Sequence, residues 1–220
     1  MTDDDWKQLL NTVAEIQEFF QDGLVFIGGI AVYAHALSKE ETAIFAAQSH
    51  DADFMILLSD YADLRDIEML TPNRRLSKQQ FVKQGFEFDV YVEGQTDLCV
   101  PVQEAVAFSE VKSGLRVACI EHLLVLKAKA LADRRGTPKG DKDEDDVARM
   151  LLVADGIDKD KLTRLTDDLL LDLQKAVKGD AAMRLADGNS HKAKSLRMKI
   201  NEKLQQVEEA HQLNYGGPTP

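Results

Sequence analysis

Two aspartates one residue apart, Asp51 and Asp53 in the run Ser49-His50-Asp51-Ala52-Asp53, are the side chains with the clearest capacity for chemistry. They open the apolar run Phe54 to Leu58, which reads as a strand. Alternate side chains of a strand share a face, so the two carboxylates point the same way with about 7 Å between their backbones. Such a pair suits a hard divalent cation, which takes one or two carboxylates and fills its remaining positions with water or phosphate oxygens. A third carboxylate, Asp89, stands mid-strand in Phe86 to Val92, where Phe86, Phe88, Val90 and Val92 alternate with Glu87, Asp89 and Tyr91. Upstream, Gly28 and Gly29 join the β-prone run Leu24 to Ile27 to an apolar helix, and glycines at a helix start let the backbone approach an anion.

Positioning these groups requires a sheet with helices around it. The apolar positions Trp6, Leu9, Leu10, Val13, Ile16 and Phe20 predict a first amphipathic helix behind an acidic start. Strand, glycine turn and helix follow over 24–37, then a long polar segment from Ser38 to Gln48 that reads as a flexible loop over the site. After the strand that begins at Phe54, Ser59 reads as the N-cap of a helix running to Met69, stopped by Pro72. Gln79 to Lys83 and Phe86 to Val92 read as strands, and Leu115 to Ile120 as the last one. From there the pattern is helical, with Arg134 to Gly140 as a loop. The expected division is a first domain over 1–118, a helical domain over 119–214 and a disordered tail over 215–220.

At 220 residues and 44% hydrophobic content the chain can bury a core. Its net charge of −11 argues against a surface broadly built for nucleic acid, which needs an excess of Lys and Arg. The one basic stretch, from His191 to Lys203, reads first as a solvated helix face. No run approaches the ~18 apolar residues of a membrane span and the start lacks a basic n-region, so a cytoplasmic protein is expected. Cys99 and Cys119 lack metal-site spacing and read as small core residues with no disulfide. His35, within a helix, and His50, on the strand face opposite the acids, are not expected to be ligands.

Periodicity isolates one more group. In the helix after Ile120 the apolar stripe passes through Leu123, Leu124, Ala128 and Leu131, and Lys127 lies in it. A lysine there must snorkel outward or enter a polar cleft. In the next helix the stripe of Val147, Met150, Leu151 and Ala154 extends back through Asp143 and Asp146, so those acids face the body of the protein.

Gly28-Gly29, the Asp51-Ala52-Asp53 pair and Asp89 together resemble the nucleotidyltransferase superfamily that includes DNA polymerase beta-like enzymes. The segments Leu126-Lys127-Ala128-Lys129 and Lys142-Asp143-Glu144-Asp145-Asp146 narrow the resemblance to the abortive-infection, type IV toxin-like nucleotidyltransferases of bacteria, over about Val25 to Val153. The resemblance implies an α/β (α+β) fold: a small mixed β-sheet core flanked by helices, plus a C-terminal helical domain. It implies an NTP substrate and Mg²⁺ or Mn²⁺, with Asp51, Asp53 and Asp89 as metal ligands and Asp89 assisting deprotonation of the acceptor. Gly28, Gly29, Ser49 and Lys127 would then bind nucleotide, and Lys127 and Asp146 would join the catalytic set. The acceptor stays open among RNA, protein and a small molecule, and a toxin role would imply an antitoxin partner.

The sequence departs from that pattern just before the acids, where many members carry Arg-Thr and this chain carries Gln48 and Ser49. Gln48 removes a positive charge, whereas Ser49 keeps a hydroxyl donor. A degenerate relative that binds nucleotide or a protein partner without turnover is therefore the second reading. A sugar-nucleotide glycosyltransferase using Asp51 and Asp53 is a third, and it leaves Gly28, Gly29 and Asp89 without a role.

Overall fold

The computed structural model describes residues 2–134 and 136–215. They form a mixed α/β structure in two compact units, one of Met1–Ser38 with Ala46–Cys119 and the other of Lys39–Phe45 with Ile120–Pro220.

The first unit is built on a seven-stranded sheet. Helix α1 (Asp3–Phe19) starts earlier than the apolar spacing alone indicates, because Thr2 and Asp5 form a reciprocal capping box ahead of it. Strand β1 (Leu24–Ile27) is buried along its whole length and runs directly into helix α2 (Gly28–Leu37). Strand β2 (Asp51–Ile56) begins at Asp51 itself and ends two residues before the expected Leu58, which instead opens helix α3 (Leu58–Ile67). The N-cap of α3 is Leu57, not Ser59. The Leu58 amide is satisfied by Glu93 Oε2 at 2.9 Å, so a carboxylate from elsewhere in the chain replaces the local cap.

Pro72 does not terminate that helix but lies in strand β3 (Thr71–Asn73). β3 is an edge of the sheet, where a residue without an amide hydrogen is tolerated. Strand β4 (Lys78–Lys83) and strand β5 (Phe86–Val92) form a hairpin through Gln84 and Gly85, both with positive φ. Helix α4 (Val102–Ala107) and strand β6 (Glu110–Lys112) were not legible as elements, and β6 pairs with strand β7 (Leu115–Val117), which is shorter than expected. The strand order is β3-β4-β5-β2-β1-β7-β6, with β2/β5 and β1/β7 parallel and the remaining pairs antiparallel.

One face of the central strands is a continuous apolar layer. Phe26 and Phe54 meet edge to face with ring centroids 5.8 Å apart, and Phe81 and Phe88 stack at 4.9 Å. Phe26, Phe54 and Phe88 are fully buried. Because the side-chain period of a strand is two, a slip of one residue would expel these rings, so the apolar layer also fixes which face carries the acids.

The second unit is helical: α5 (Ile120–Arg134), α6 (Pro138–Val153), α7 (Asp167–Val177), α8 (Ala181–Leu185) and α9 (Ser190–Tyr215). Pro138 and Gly140, expected in a loop, belong to α6. Thr137 caps that helix by accepting from the Gly140 amide at 3.1 Å, and proline suits its first turn. The segment Lys39–Phe45, expected as part of a flexible loop, contains the 3₁₀ turn Ala43–Phe45 and belongs to this helical unit, where Lys39 pairs with Asp155. Tyr215, placed by the sequence in the tail, is helical, and residues 216–220 lie outside the described residues. Among the described residues no helix is long and apolar enough to cross a membrane.

Candidate active site

Strand register assembles the acids in a row. Asp53 of β2 is paired with Ile27 of β1 on one side and Asp89 of β5 on the other, and Asp89 is paired with Gln80 of β4. Residues paired across strands point to the same face, so Asp53, Asp89 and Gln80 stand side by side. Asp51, two residues before Asp53, shares that face and is paired with Glu87. Ala52 and Phe54, between and after the two acids, are fully buried on the other face.

The β1–α2 turn lies over this row. Gly28 has φ +64°, a left-handed conformation natural to glycine, and a Cβ there would collide with the Asp53 carboxylate. A Cβ on Gly29 would stand 2.6 Å from Ser49 Oγ and 2.9 Å from Ser49 Cβ. Both glycines thus let the backbone close in, Gly28 onto Asp53 and Gly29 onto Ser49. The helix that starts there, α2, directs its first amides and the positive end of its dipole toward the same place.

Each predicted residue has a definite setting. Asp51 is exposed and accepts a hydrogen bond of 2.9 Å from Ser49 Oγ. Ser49, offered by the sequence as a phosphate donor, is 1% exposed and spends its single donor on that bond. Asp53 is half-buried. Asp89 is held from β4: Lys78 Nζ contacts its Oδ2 and Gln80 Nε2 donates to its Oδ1 at 2.8 Å. Gln48 is exposed and donates to Asp3 at 3.3 Å. His35 Nε2 is 2.9 Å from the carbonyl of Ala118, within the first unit. His50 is exposed and lines an open groove of about 380 Å³ with Asp5, Gln8, Gln84, Gly85 and Phe86.

Among the described residues, no three His, Cys, Asp or Glu side chains gather into a group able to hold a metal ion. A Mg²⁺ site does not need such a cage, because this ion is usually bound through one or two carboxylates with phosphates and waters completing its shell. Asp51 and Asp53 supply two hard oxygen donors beneath a turn cleared of Cβ atoms, and that donor set fits one such ion.

Lys127, Asp143 and Asp146 come together inside the helical unit. Lys127 Nζ lies 2.7 Å from Asp143 Oδ1 and 2.8 Å from Asp146 Oδ2. Arg134 reaches Asp143 at 3.4 Å and Arg149 reaches Asp146 at 3.3 Å. Both aspartates are buried. Burial by itself would lower the Lys127 pKa, but the charges of Asp146 and Asp143 and the hydrogen bonds to them outweigh it and raise the ammonium above the ordinary lysine value. The lysine that breaks the apolar stripe is therefore the centre of a buried ion cluster.

The sequence reading did not single out Lys78, Gln80 or Glu87 as site residues. Lys78 lay just outside the expected strand, and Glu87 was visible only as a neighbour of Asp89 on the same face. Their relevance follows from register, which a lone sequence does not reveal.

No protein-family model matches the chain, and no curated protein matches it in sequence. Among solved structures, the fold is similar to that of an antigenic nucleotidyltransferase-like protein from Paracoccidioides brasiliensis, with a TM-score of 0.50 and 16% identity over 84% of this chain and 93% of that one. A protein from H. pylori assigned provisionally as a nucleotidyltransferase has a TM-score of 0.46 and 16% identity, covering 98% of both chains. The chain has the mixed α/β fold of nucleotidyltransferase-like proteins.

Proposed function

We propose that the protein is a metal-dependent nucleotidyltransferase that moves an NMP group from an NTP to an acceptor. The observation that carries this reading is the closure of the Gly28-Gly29 turn onto the acid row, with a cation-competent pair and backbone amides beside each other. In the reaction, an acceptor oxygen forms a bond to the α-phosphorus, the bond from that phosphorus to the bridging oxygen breaks, and pyrophosphate leaves with the electron pair. A bound Mg²⁺ or Mn²⁺ supplies positive charge against the triphosphate oxygens. Asp51 and Asp53 would hold that ion, and the amides at the start of α2 would take a phosphate. Asp89 receives the proton from the acceptor hydroxyl, in line with the role the family resemblance gives it.

Lys127 and Asp146 enter this proposal as a structural cluster, since each is already engaged by the other. The acceptor is RNA, a protein side chain or a small-molecule hydroxyl, and a toxin with an antitoxin partner is one physiological setting for such an activity. The test is to incubate the protein with each labelled NTP, Mg²⁺ and cell extract, and to follow label into RNA, protein and small molecules. Label transfer by the wild type and its loss in Asp51→Asn and Asp53→Asn, both folded by circular dichroism, is the expected outcome. Transfer that persists in the double variant would refute the assignment.

A second reading, a nucleotide-binding relative without turnover, is favoured by one observation: Ser49 and Asp89 already have partners within the chain. Calorimetry separates the two readings. Binding of an NTP with Mg²⁺, without pyrophosphate release in any acceptor mixture, supports the second.

A further inference from the structure

Lys78 is a cation in the acid row that the proposed chemistry does not call for. It opens β4, two residues before Gln80, and Gln80 is the register partner of Asp89. The Lys78 side chain is 8% exposed and that of Asp89 16%, so their ion pair is largely shielded from water. The other carboxylate oxygen of Asp89 accepts from Gln80 Nε2 at 2.8 Å. Asn73 Nδ2 in turn donates to Gln80 Oε1 at 3.0 Å, which turns the amide so that its NH₂ faces the aspartate. Both oxygens of Asp89 are thus engaged by donors from one neighbouring strand, and one of those donors carries a full positive charge.

Asp51 differs in kind. It is exposed, and the donor on its Oδ1 is the neutral hydroxyl of Ser49.

We infer that Lys78 is a built-in substitute for a second divalent cation: its ammonium neutralises Asp89 and restricts the acid row to one divalent ion, held by Asp51 and Asp53. This rests on the reading of the row as a cation site. A second ion on Asp89 would have to displace a shielded ammonium, leaving that charge without its partner, or sit beside it against like-charge repulsion strengthened by the low local dielectric. Asp89 is then a carboxylate oriented by Lys78 and Gln80 without being a metal ligand. Lys78 acts through Asp89 and is a positioning residue.

The test counts ions instead of turnover. Mn²⁺ is titrated into the full chain, the free ion is followed by electron paramagnetic resonance, and each variant is checked for fold by circular dichroism. One Mn²⁺ per chain is expected for the wild type, one for Lys78→Arg, which keeps the charge, and one for Asp89→Asn. Two are expected for Lys78→Gln and none for Asp51→Asn. Two ions on the wild type, or a loss of the single ion in Asp89→Asn, would overturn the inference while leaving the metal-dependent reading intact. No bound Mn²⁺ in either the wild type or Lys78→Gln would overturn both. A single ion on folded Lys78→Gln would overturn it as well, and should Lys78→Gln not fold, the count on the near-isosteric Lys78→Met decides in its place.

Discussion

At the residue scale, the contact between Gly29 and Ser49 makes the geometry of the site testable apart from its chemistry. A Cβ at position 29 would lie 2.6 Å from Ser49 Oγ, and Ser49 is buried, so neither partner can yield easily. Gly29→Ala is expected to destabilise the chain by about 1–3 kcal/mol, in the range of overpacking, and to weaken NTP binding by pushing Ser49 against Asp51. Ser49→Gly removes both clashing atoms. Urea unfolding of the two single variants and the double variant should therefore show a coupling of about 0.5–3 kcal/mol, with the double variant more stable than additivity allows. Simple additivity would mean that the turn does not press on the serine. The sequence exposed the acids and the glycines because their chemistry is local: carboxylates two apart on a strand, and glycines where a strand meets a helix. It did not expose Lys78 and Gln80, whose significance depends on β4 pairing with β5 so that Gln80 meets Asp89.

At the scale of elements, long periodic segments were legible and short ones were not. α1, β5 and α5 each show their period over several turns or alternations, and α2 is a continuous apolar run, whereas β3, β6 and β7 are three-residue strands held in place by their neighbours. Pro72 illustrates the difference, since a proline reads as a helix stop until the sheet shows it at an edge. The α5–α6 pair lies between these cases. Periodicity placed Lys127, Asp143 and Asp146 on inward faces, but only the packed helices show that they satisfy one another. Lys127→Met would leave two buried carboxylates short of their shared cation, and a loss of about 3–5 kcal/mol in the helical unit is expected. Because the folded chain holds the Lys127 proton more tightly than the unfolded chain, this contribution is fully present below the unfolded lysine pKa of about 10.4 and is lost as pH rises through the higher folded value. The stability gap between wild type and Lys127→Met, measured by urea unfolding, should stay constant from neutral pH to about pH 10 and narrow only above it. A gap that closes below that range would place the stabilisation elsewhere.

At the scale of the whole molecule, the chain visits the helical unit twice, first with Lys39–Phe45 and then from Ile120 onward. Composition changes only once along the sequence, so the early visit was invisible: Lys39 is drawn to Asp155, more than a hundred positions away. Net charge, in contrast, is a property that sequence alone states fully, and −11 sets a sign for substrate encounter. A triphosphate approaching a strongly acidic chain is repelled over a Debye length of about 30 Å at 0.01 M salt and about 8 Å at 0.15 M. If the acceptor is small, raising monovalent salt across that range at fixed Mg²⁺ should increase kcat/KM, because screening removes the long-range repulsion. An RNA acceptor would reverse the sign. The exposed cations at the start of α9, Lys192, Lys194, Arg197 and Lys199, are the nearest thing to a phosphate-tracking face, and four such contacts with a single strand give a log–log salt slope of about −2.8. Measured with acceptor below saturation, a rise in kcat/KM with salt points to a small or neutral acceptor, and a steep fall that Lys192→Ala and Arg197→Ala flatten points to RNA bound along α9.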